Sequence, residues 1–215
     1  MTLRLGDRAP DFVADTTIGP VNFHDWLADS WGILLSHPRD FTPICTTEIG
    51  SIARLEQEFD RRDCKVIALS MDSLATHRDW IADIEETQKV KVEFPIIADT
   101  NREIANLYSM ICPEAGNIYT VRSLFIIAPD KTIRLISVYP GSTGRNFDEV
   151  LRALDSLQLT EQYPVGTPAQ WSPGEDCLVL GSVSDQQLPI LFPEGCQHIR
   201  PYLRIVSQPR YHPPE

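Results

Sequence analysis

One cysteine stands in surroundings suited to reaction. Cys45 lies in the segment Ser36-His37-Pro38-Arg39-Asp40-Phe41-Thr42-Pro43-Ile44-Cys45-Thr46-Thr47-Glu48. The thiolate is the nucleophilic form of cysteine, and an unperturbed thiol is only about 3% thiolate at pH 7. Raising that fraction to roughly 90% takes about 3.4 kcal/mol, whereas a helix N-terminus contributes about 0.3–1 and at best about 2. A cation must therefore stand nearby. Arg39 is local but reads as a solvated charge, so the cation is sought further along the chain. Full ionisation alone gains only about 30-fold in rate, so a fast enzyme also needs groups that stabilise the transition state.

The elements around the cysteine can be read from the apolar spacing. Trp31-Gly32-Ile33-Leu34-Leu35 predicts a buried strand leading into the segment. From Glu48 to Phe59, Ile49, Ile52, Leu55 and Phe59 recur on one helical face. Thr42 reads as the N-cap and Pro43 as the first helical residue, where its missing N–H costs nothing. Cys45 is then the third helical position, among unpaired N–H groups at the positive end of the helix. The Thr42 hydroxyl is expected to point at the N–H of that same position.

The rest of the chain alternates strands and helices. A hairpin is predicted within 11–23, turned at Ile18-Gly19-Pro20, with strands at 65–70, 94–98, 123–128 and 132–139. Helices are predicted at 73–87, 102–108 and 147–158. This order indicates the α/β class, a sandwich around a mixed sheet. After Thr160 the composition changes, with nine of the 17 prolines in the last 55 residues. Residues 1–160 therefore read as the chemical domain and 161–215 as a smaller domain for docking or dimer formation, weakly autonomous by size. Pro213-Pro214-Glu215 is expected to fray.

Net charge is −11, from 19 Lys and Arg against 30 Asp and Glu, with no basic run. That argues against nucleic acid and anionic membranes as partners. No apolar stretch is long enough for a membrane span, and the N-terminus has no apolar signal core, so a cytoplasmic protein is expected. The five cysteines, Cys45, Cys64, Cys112, Cys177 and Cys196, are widely spaced and contain no Cys-x-x-Cys pair. This disfavours a disulfide scaffold, a zinc knuckle and a dithiol oxidoreductase. Histidines lack metal-ligand spacing, so neither metal nor cofactor is implied. Cys64 reads as a small buried residue.

The run strand, Pro-x-x-x-Thr-x-x-Cys, helix resembles the active site of the peroxiredoxins, here Pro38, Thr42 and Cys45. The string His37 to Glu48 is similar to the one-cysteine, peroxiredoxin-six-like branch. So are Val121-Arg122-Ser123-Leu124-Phe125-Ile126, the stretch Tyr139 to Glu149, and Thr167-Pro168-Ala169-Gln170-Trp171 with Pro173-Gly174-Glu175-Asp176. The resemblance implies a thioredoxin-like three-layer sandwich with a C-terminal accessory domain. It also implies a thiol-dependent peroxidase acting on hydrogen peroxide and organic hydroperoxides. Carried over by position, Cys45 attacks the peroxide and becomes a sulfenic acid. Thr42 hydrogen-bonds the sulfur and the peroxide, Pro38 shields the sulfur, and Arg122 is the missing cation. Glu48 and Arg145 match a supporting salt-bridge network, and His37 matches a pocket histidine or fills space beside the strand end.

Further readings stay open at this level. The sulfenic acid needs a thiol, either an external one such as glutathione or a thioredoxin-type protein, or Cys177 or Cys196 as a resolving cysteine. Ser30, His24 and Asp130 match the positions of a phospholipase triad described for some relatives. However, the stretch Ala28-Asp29-Ser30-Trp31-Gly32 lacks the first glycine of a Gly-x-Ser-x-Gly elbow. A redox-switched chaperone is a third reading. A homodimer or a larger ring is the expected assembly.

Overall fold

The computed structural model describes residues 3–112 and 118–210; Pro213-Pro214-Glu215 lies outside them. Two compact units are present, Met1–Phe147 and Asp148–Glu215. The long helix expected to close the first unit thus clusters with the second.

The first unit is built on a seven-stranded mixed sheet. In chain order its strands are β1 Val13–Thr16, β2 Gly19–Asn22, β3 Trp31–Ser36, β4 Cys64–Ser70, β5 Ile96–Ala98, β6 Arg122–Ile127 and β7 Ile133–Tyr139. Their spatial order is β2-β1-β5-β4-β3-β6-β7. The central pairs β3–β4 and β4–β5 are parallel, while β3–β6 and β6–β7 are antiparallel. Continuous apolar runs in β3 and β4 follow from this central position, because such strands are covered on both faces. The hairpin forms with a shifted turn. Gly19 and Pro20 begin β2, with Pro20 opposite Asp15. An edge strand tolerates Pro because its missing N–H is not needed by a further neighbour.

Side chains alternate across this sheet. Leu34, Ile67, Leu69, Ile97, Phe125 and Ile127 pack in one buried cluster with Phe23 and Leu27 of α1 (Phe23–Leu27) and Ile104 and Ala105 of α5 (Glu103–Leu107). Residues of the other parity, among them Ile33, Leu35, Leu124 and Ile126, are equally buried on the opposite face. Arg122, at the start of β6, shares their parity. Between α1 and α5 come α2 (Pro43–Arg54), α3 (Glu56–Asp60) and α4 (Leu74–Gln88). The single helix expected through Phe59 is broken at Leu55, whose φ of −98° and ψ of 6° end α2.

The second unit opens with α6 (Phe147–Gln162) and contains a four-stranded sheet. Its strands, in the order β10-β11-β9-β8, are β8 Val165–Gly166, β9 Cys177–Val179, β10 Gln197–Arg200 and β11 Leu203–Val206, with the short α7 at Leu188–Leu191. Leu159, Val165, Trp171, Cys177, Val179 and Val206 are in its own apolar core.

Candidate active site

The loop from β3 to α2 carries most of the site. The β3 ladder ends with His37 N–H donating to Leu69 O, and Pro38 to Phe41 turn the chain into the helix. Thr42 is the N-cap in extended conformation, Pro43 follows as the first helical residue, and Cys45 lies in the first turn, fully buried. The expected cap hydrogen bond is absent: the Thr42 hydroxyl donates instead to Arg39 O at 2.9 Å. A hydroxyl has one proton, and here the loop carbonyl takes it. The remaining lone pairs of Thr42 face the pocket as acceptors only.

The cation arrives from β6. Arg122 is 2% exposed, and its Nη1 donates to Cys45 Sγ at 3.4 Å and to Glu48 Oε2 at 2.7 Å. Its Nε and Nη2 donate to Gly141 O at 3.2 and 2.8 Å. Sheet parity directs this side chain to the α2 face, and the fork to Gly141 fixes the plane of the guanidinium. Glu48, one turn after Cys45, is shared with Arg145. Arg145 donates to it from its backbone N at 2.8 Å, from Nε at 2.9 Å and from Nη2 at 2.8 Å. Arg145 Nη1 also donates to Ser123 O at 2.9 Å. Burial works against Glu48 ionisation, but the Arg145 hydrogen bonds and charge outweigh it and hold the carboxyl below its usual range. Two guanidiniums and one carboxylate leave a single buried positive charge beside the sulfur, the complement of a thiolate.

A cavity of about 400 Å³ opens onto this group, lined by Pro38, Thr42, Pro43, Ile44, Tyr119, Arg122 and Gly141. Apart from Thr42 and Arg122, its walls are largely apolar.

His37 turns away from the cavity lining into a buried network that sequence reasoning did not assemble. His37 Nε2 pairs with Asp40 Oδ1 at 2.9 Å, and His77 Nδ1 of α4 pairs with Asp40 Oδ2 at 2.6 Å. His77 Nε2 lies 3.1 Å from Ile97 O. Burial pushes the His37 pKa down by more than Asp40 restores, so His37 is neutral and donates from Nε2. Its Nδ1 has no partner among the described residues. Burial disfavours the Asp40 carboxylate, but hydrogen bonds from His37 and His77 prevail and keep it ionised. His77 thus presents one ring nitrogen to the Asp40 carboxylate and the other to a backbone carbonyl. Asp40 N–H donates to Asp72 Oδ2 at 2.9 Å, so the loop beneath Pro38 is tied down at both side chain and backbone. Trp80 of α4 packs its ring at a tilt against His37, 5.0 Å between ring centroids, and donates to Thr46 Oγ1 at 3.1 Å. Asp40 stood inside the motif string. His77 looked like any helical core histidine, and the carbonyl of Gly141 has no sequence signature.

The other candidates separate from this site. Ser30 Oγ donates to Asp63 Oδ1 at 2.7 Å, His24 Nε2 pairs with Ala9 O at 2.9 Å, and Asp130 Oδ1 accepts from Thr132 N–H at 2.8 Å. Each member of the suggested triad is thus committed elsewhere, and Asp130 is the turn residue its sequence context indicates. The strained turn does persist without glycine, because Ala28 itself takes φ 49° and ψ −129°. Cys64 is buried, which pushes its pKa up. Cys177 is in the apolar core of the second unit, where burial likewise raises its pKa, opposite to what an attacking thiol requires. Cys196 is half-buried in that unit.

A polarised thiol at a helix N-terminus, with a buried arginine across a mixed sheet, is the arrangement of a thiol-dependent oxidoreductase. Residues 5–136 match the AhpC/TSA family, and residues 156–188 match the C-terminal domain of 1-Cys peroxiredoxin. A 1-Cys peroxiredoxin of Dictyostelium discoideum is 54% identical over 207 residues, covering 96% of this chain and 86% of its own. The crystal structure of a peroxiredoxin 6 mutant of Arenicola marina superposes with a TM-score of 0.91 at 46% identity, covering 97% of this chain and all of the other. A yeast mitochondrial 1-Cys peroxiredoxin, whose structure concerns thiol resolving via the glutathione and thioredoxin systems, gives 0.90 at 48% identity over 96% and 100%. The chain belongs to the peroxiredoxins, in their one-cysteine, peroxiredoxin-6-like branch. It is a thiol-dependent peroxidase with the thioredoxin-like fold. Resolution by Cys177 or Cys196, a phospholipase and a redox-switched chaperone are not favoured by these relatives.

Proposed function

We propose that Cys45 is the peroxidatic cysteine and that Thr42, Pro38 and Arg122 complete its catalytic site, with Glu48, Arg145 and His37 in support. The observation that carries this is Arg122 Nη1, buried and 3.4 Å from Cys45 Sγ. The thiolate attacks one peroxide oxygen, an S–O bond forms as the O–O bond breaks, and the electron pair leaves on the other oxygen. Arg122 stabilises that developing charge. Cys45 becomes the sulfenic acid, and the alkoxide or hydroxide takes a proton to leave as alcohol or water. Thr42, its own proton given to Arg39 O, accepts the hydrogen bond of the incoming peroxide. Pro38 walls the cavity against bulk water. An external thiol then condenses with the sulfenic acid to a mixed disulfide, releasing water, and a second thiol frees Cys45. Glutathione or a thioredoxin-type protein suits this step, in keeping with the yeast relative.

Assembly as a homodimer, or a larger ring, is part of this reading. Its support is β7, the edge strand of the seven-stranded sheet, which bonds to Gly6 and Asp7 at Ile133 but leaves Val138 exposed further along, since an open edge invites pairing. A cytoplasmic location also belongs to the proposal, to be checked by fractionation. No helix among the described residues is long and apolar enough to cross a membrane.

The deciding experiment is a thiol count with disulfide mapping after one equivalent of hydrogen peroxide, without reductant. Loss of Cys45 alone, trapped as a sulfenic acid, is the expected result. An untouched Cys45 would end the assignment, and a disulfide from Cys45 to Cys177 or Cys196 would replace the external thiol with an internal one.

A further inference from the structure

We infer that Arg39, laid against Tyr119, is an anion-binding lip on the peroxide pocket and holds the carboxylate of an incoming small molecule; this rests on the peroxidase reading of Cys45. The backbone at residue 39 is fixed on every side. Pro38 before it walls the cavity, Asp40 after it is locked by His37, His77 and Asp72, and its own carbonyl accepts the Thr42 hydroxyl. Only the side chain is free to choose, and it lies with its guanidinium carbon 5.0 Å from the ring centroid of Tyr119, a residue of the cavity wall. One face of the cation is on the ring, and its N–H groups have no hydrogen-bonded acceptor or carboxylate partner among the described residues. A planar fork of this kind matches a carboxylate.

Charge decides what that fork awaits. Deeper in, the surplus positive charge of Arg122, Arg145 and Glu48 lies against Cys45 Sγ, the reacting atom. Arg39, exposed and laid on the cavity-wall residue Tyr119, is a second cation with no acceptor or carboxylate partner among the described residues. The chain as a whole carries −11, so an anionic ligand meets general repulsion and gains only from such a local cation. Pro38, Pro43, Ile44 and Tyr119 supply apolar wall. Beside them Phe41 is 54% exposed and held at φ 52°, a conformation costly for an aromatic residue. The fitting ligand has an apolar body and a carboxylate. Two reactants of this enzyme class meet that description: a carboxylated organic hydroperoxide, and a carboxylated thiol that returns the sulfenic acid.

The test has two arms, each read as a ratio of second-order rates within one protein, so that any general loss in a variant cancels. The oxidising arm compares cumene hydroperoxide bearing a ring carboxylate with cumene hydroperoxide itself. The reducing arm compares 3-mercaptopropionate with 2-mercaptoethanol, at equal thiolate, on the Cys45 sulfenic acid. Arg39→Gln should lower the anion-to-neutral ratio about threefold in one arm, with partial recovery in Arg39→Lys. The arm that responds identifies the ligand as peroxide or as thiol. Raising the salt should also shrink the difference in this ratio between wild type and Arg39→Gln, since the general repulsion is common to both proteins. Ratios indifferent to the Arg39 substitution in both arms, whatever their salt dependence, would overturn the lip. Failure of hydrogen peroxide to form a sulfenic acid at Cys45 would instead overturn the peroxidase reading beneath it.

Discussion

Replacing Glu48 by Gln tests whether the site is held by one shared carboxylate. Four donated hydrogen bonds converge on it, three from Arg145 and one from Arg122, and all three side chains are buried. The amide is nearly isosteric but uncharged, and its NH₂ group faces donors where an oxygen accepted. Two guanidiniums lose their counter-ion in a low-dielectric setting. Removing one partner of a buried ion pair costs about 3–5 kcal/mol. For a chain of this size each kcal/mol shifts Tm by about 2–4 °C, so a fall on the order of 10 °C is expected at pH 7. The gap must also depend on pH. Glu48 has a folded pKa below its unfolded value, so its stabilising contribution is present above the unfolded pKa and fades as pH falls through the folded one. The difference between wild type and Glu48→Gln should therefore begin to close below about pH 4.3. Thermal and urea unfolding, followed by tryptophan fluorescence at several pH values, gives both quantities. A gap under about 1 kcal/mol at neutral pH, or one that is equally large well into acid, would refute the claim that a buried carboxylate holds the two arginines.

Other outcomes follow from the same geometry. Arg122→Met should lower the second-order rate with hydrogen peroxide by about 10²–10³, as for loss of one preorganised donor, in stopped-flow assays. Thr42→Val should lower it by a smaller factor, and near-wild-type rates in both variants would remove their assigned roles. His37 is kept neutral by burial, so its contribution is complete above its unfolded pKa of about 6.5 and lost as pH falls. Stability should decline between about pH 7 and 5, and His37→Gln should flatten that slope in urea titrations; an unchanged slope would count against it. Ala28→Gly should stabilise the fold by about 1 kcal/mol, because Ala28 occupies a glycine-type conformation. A destabilising effect in calorimetry would show that the strain is not there.

The local grammar around Cys45 determined a great deal. Buried β3, Pro43 at the first helical position and the cysteine in the first turn all follow from residue types acting on their neighbours. The α/β class likewise follows from the alternation of apolar periods along the chain. Thiol ionisation energetics required a cation, and resemblance pointed to Arg122. What local rules could not supply was where polar atoms end their hydrogen bonds. Thr42 was expected to cap its helix, yet its proton goes to Arg39 O, since a turn held at φ 52° on Phe41 brings that carbonyl within reach. The Asp40–His77 contact joins residues 37 positions apart, and Arg122 meets the Gly141 carbonyl only because β6 and β7 pair in one register. The same holds for Ser30 and His24, whose partners Asp63 and Ala9 are distant in sequence, whereas Asp130 bonds within its own turn as its sequence context indicates. Sequence specifies which side chains can do chemistry, because intrinsic reactivity and helix-end fields are local. Tertiary structure decides which of them meet, because a buried polar atom must take whatever partner the packed chain places beside it.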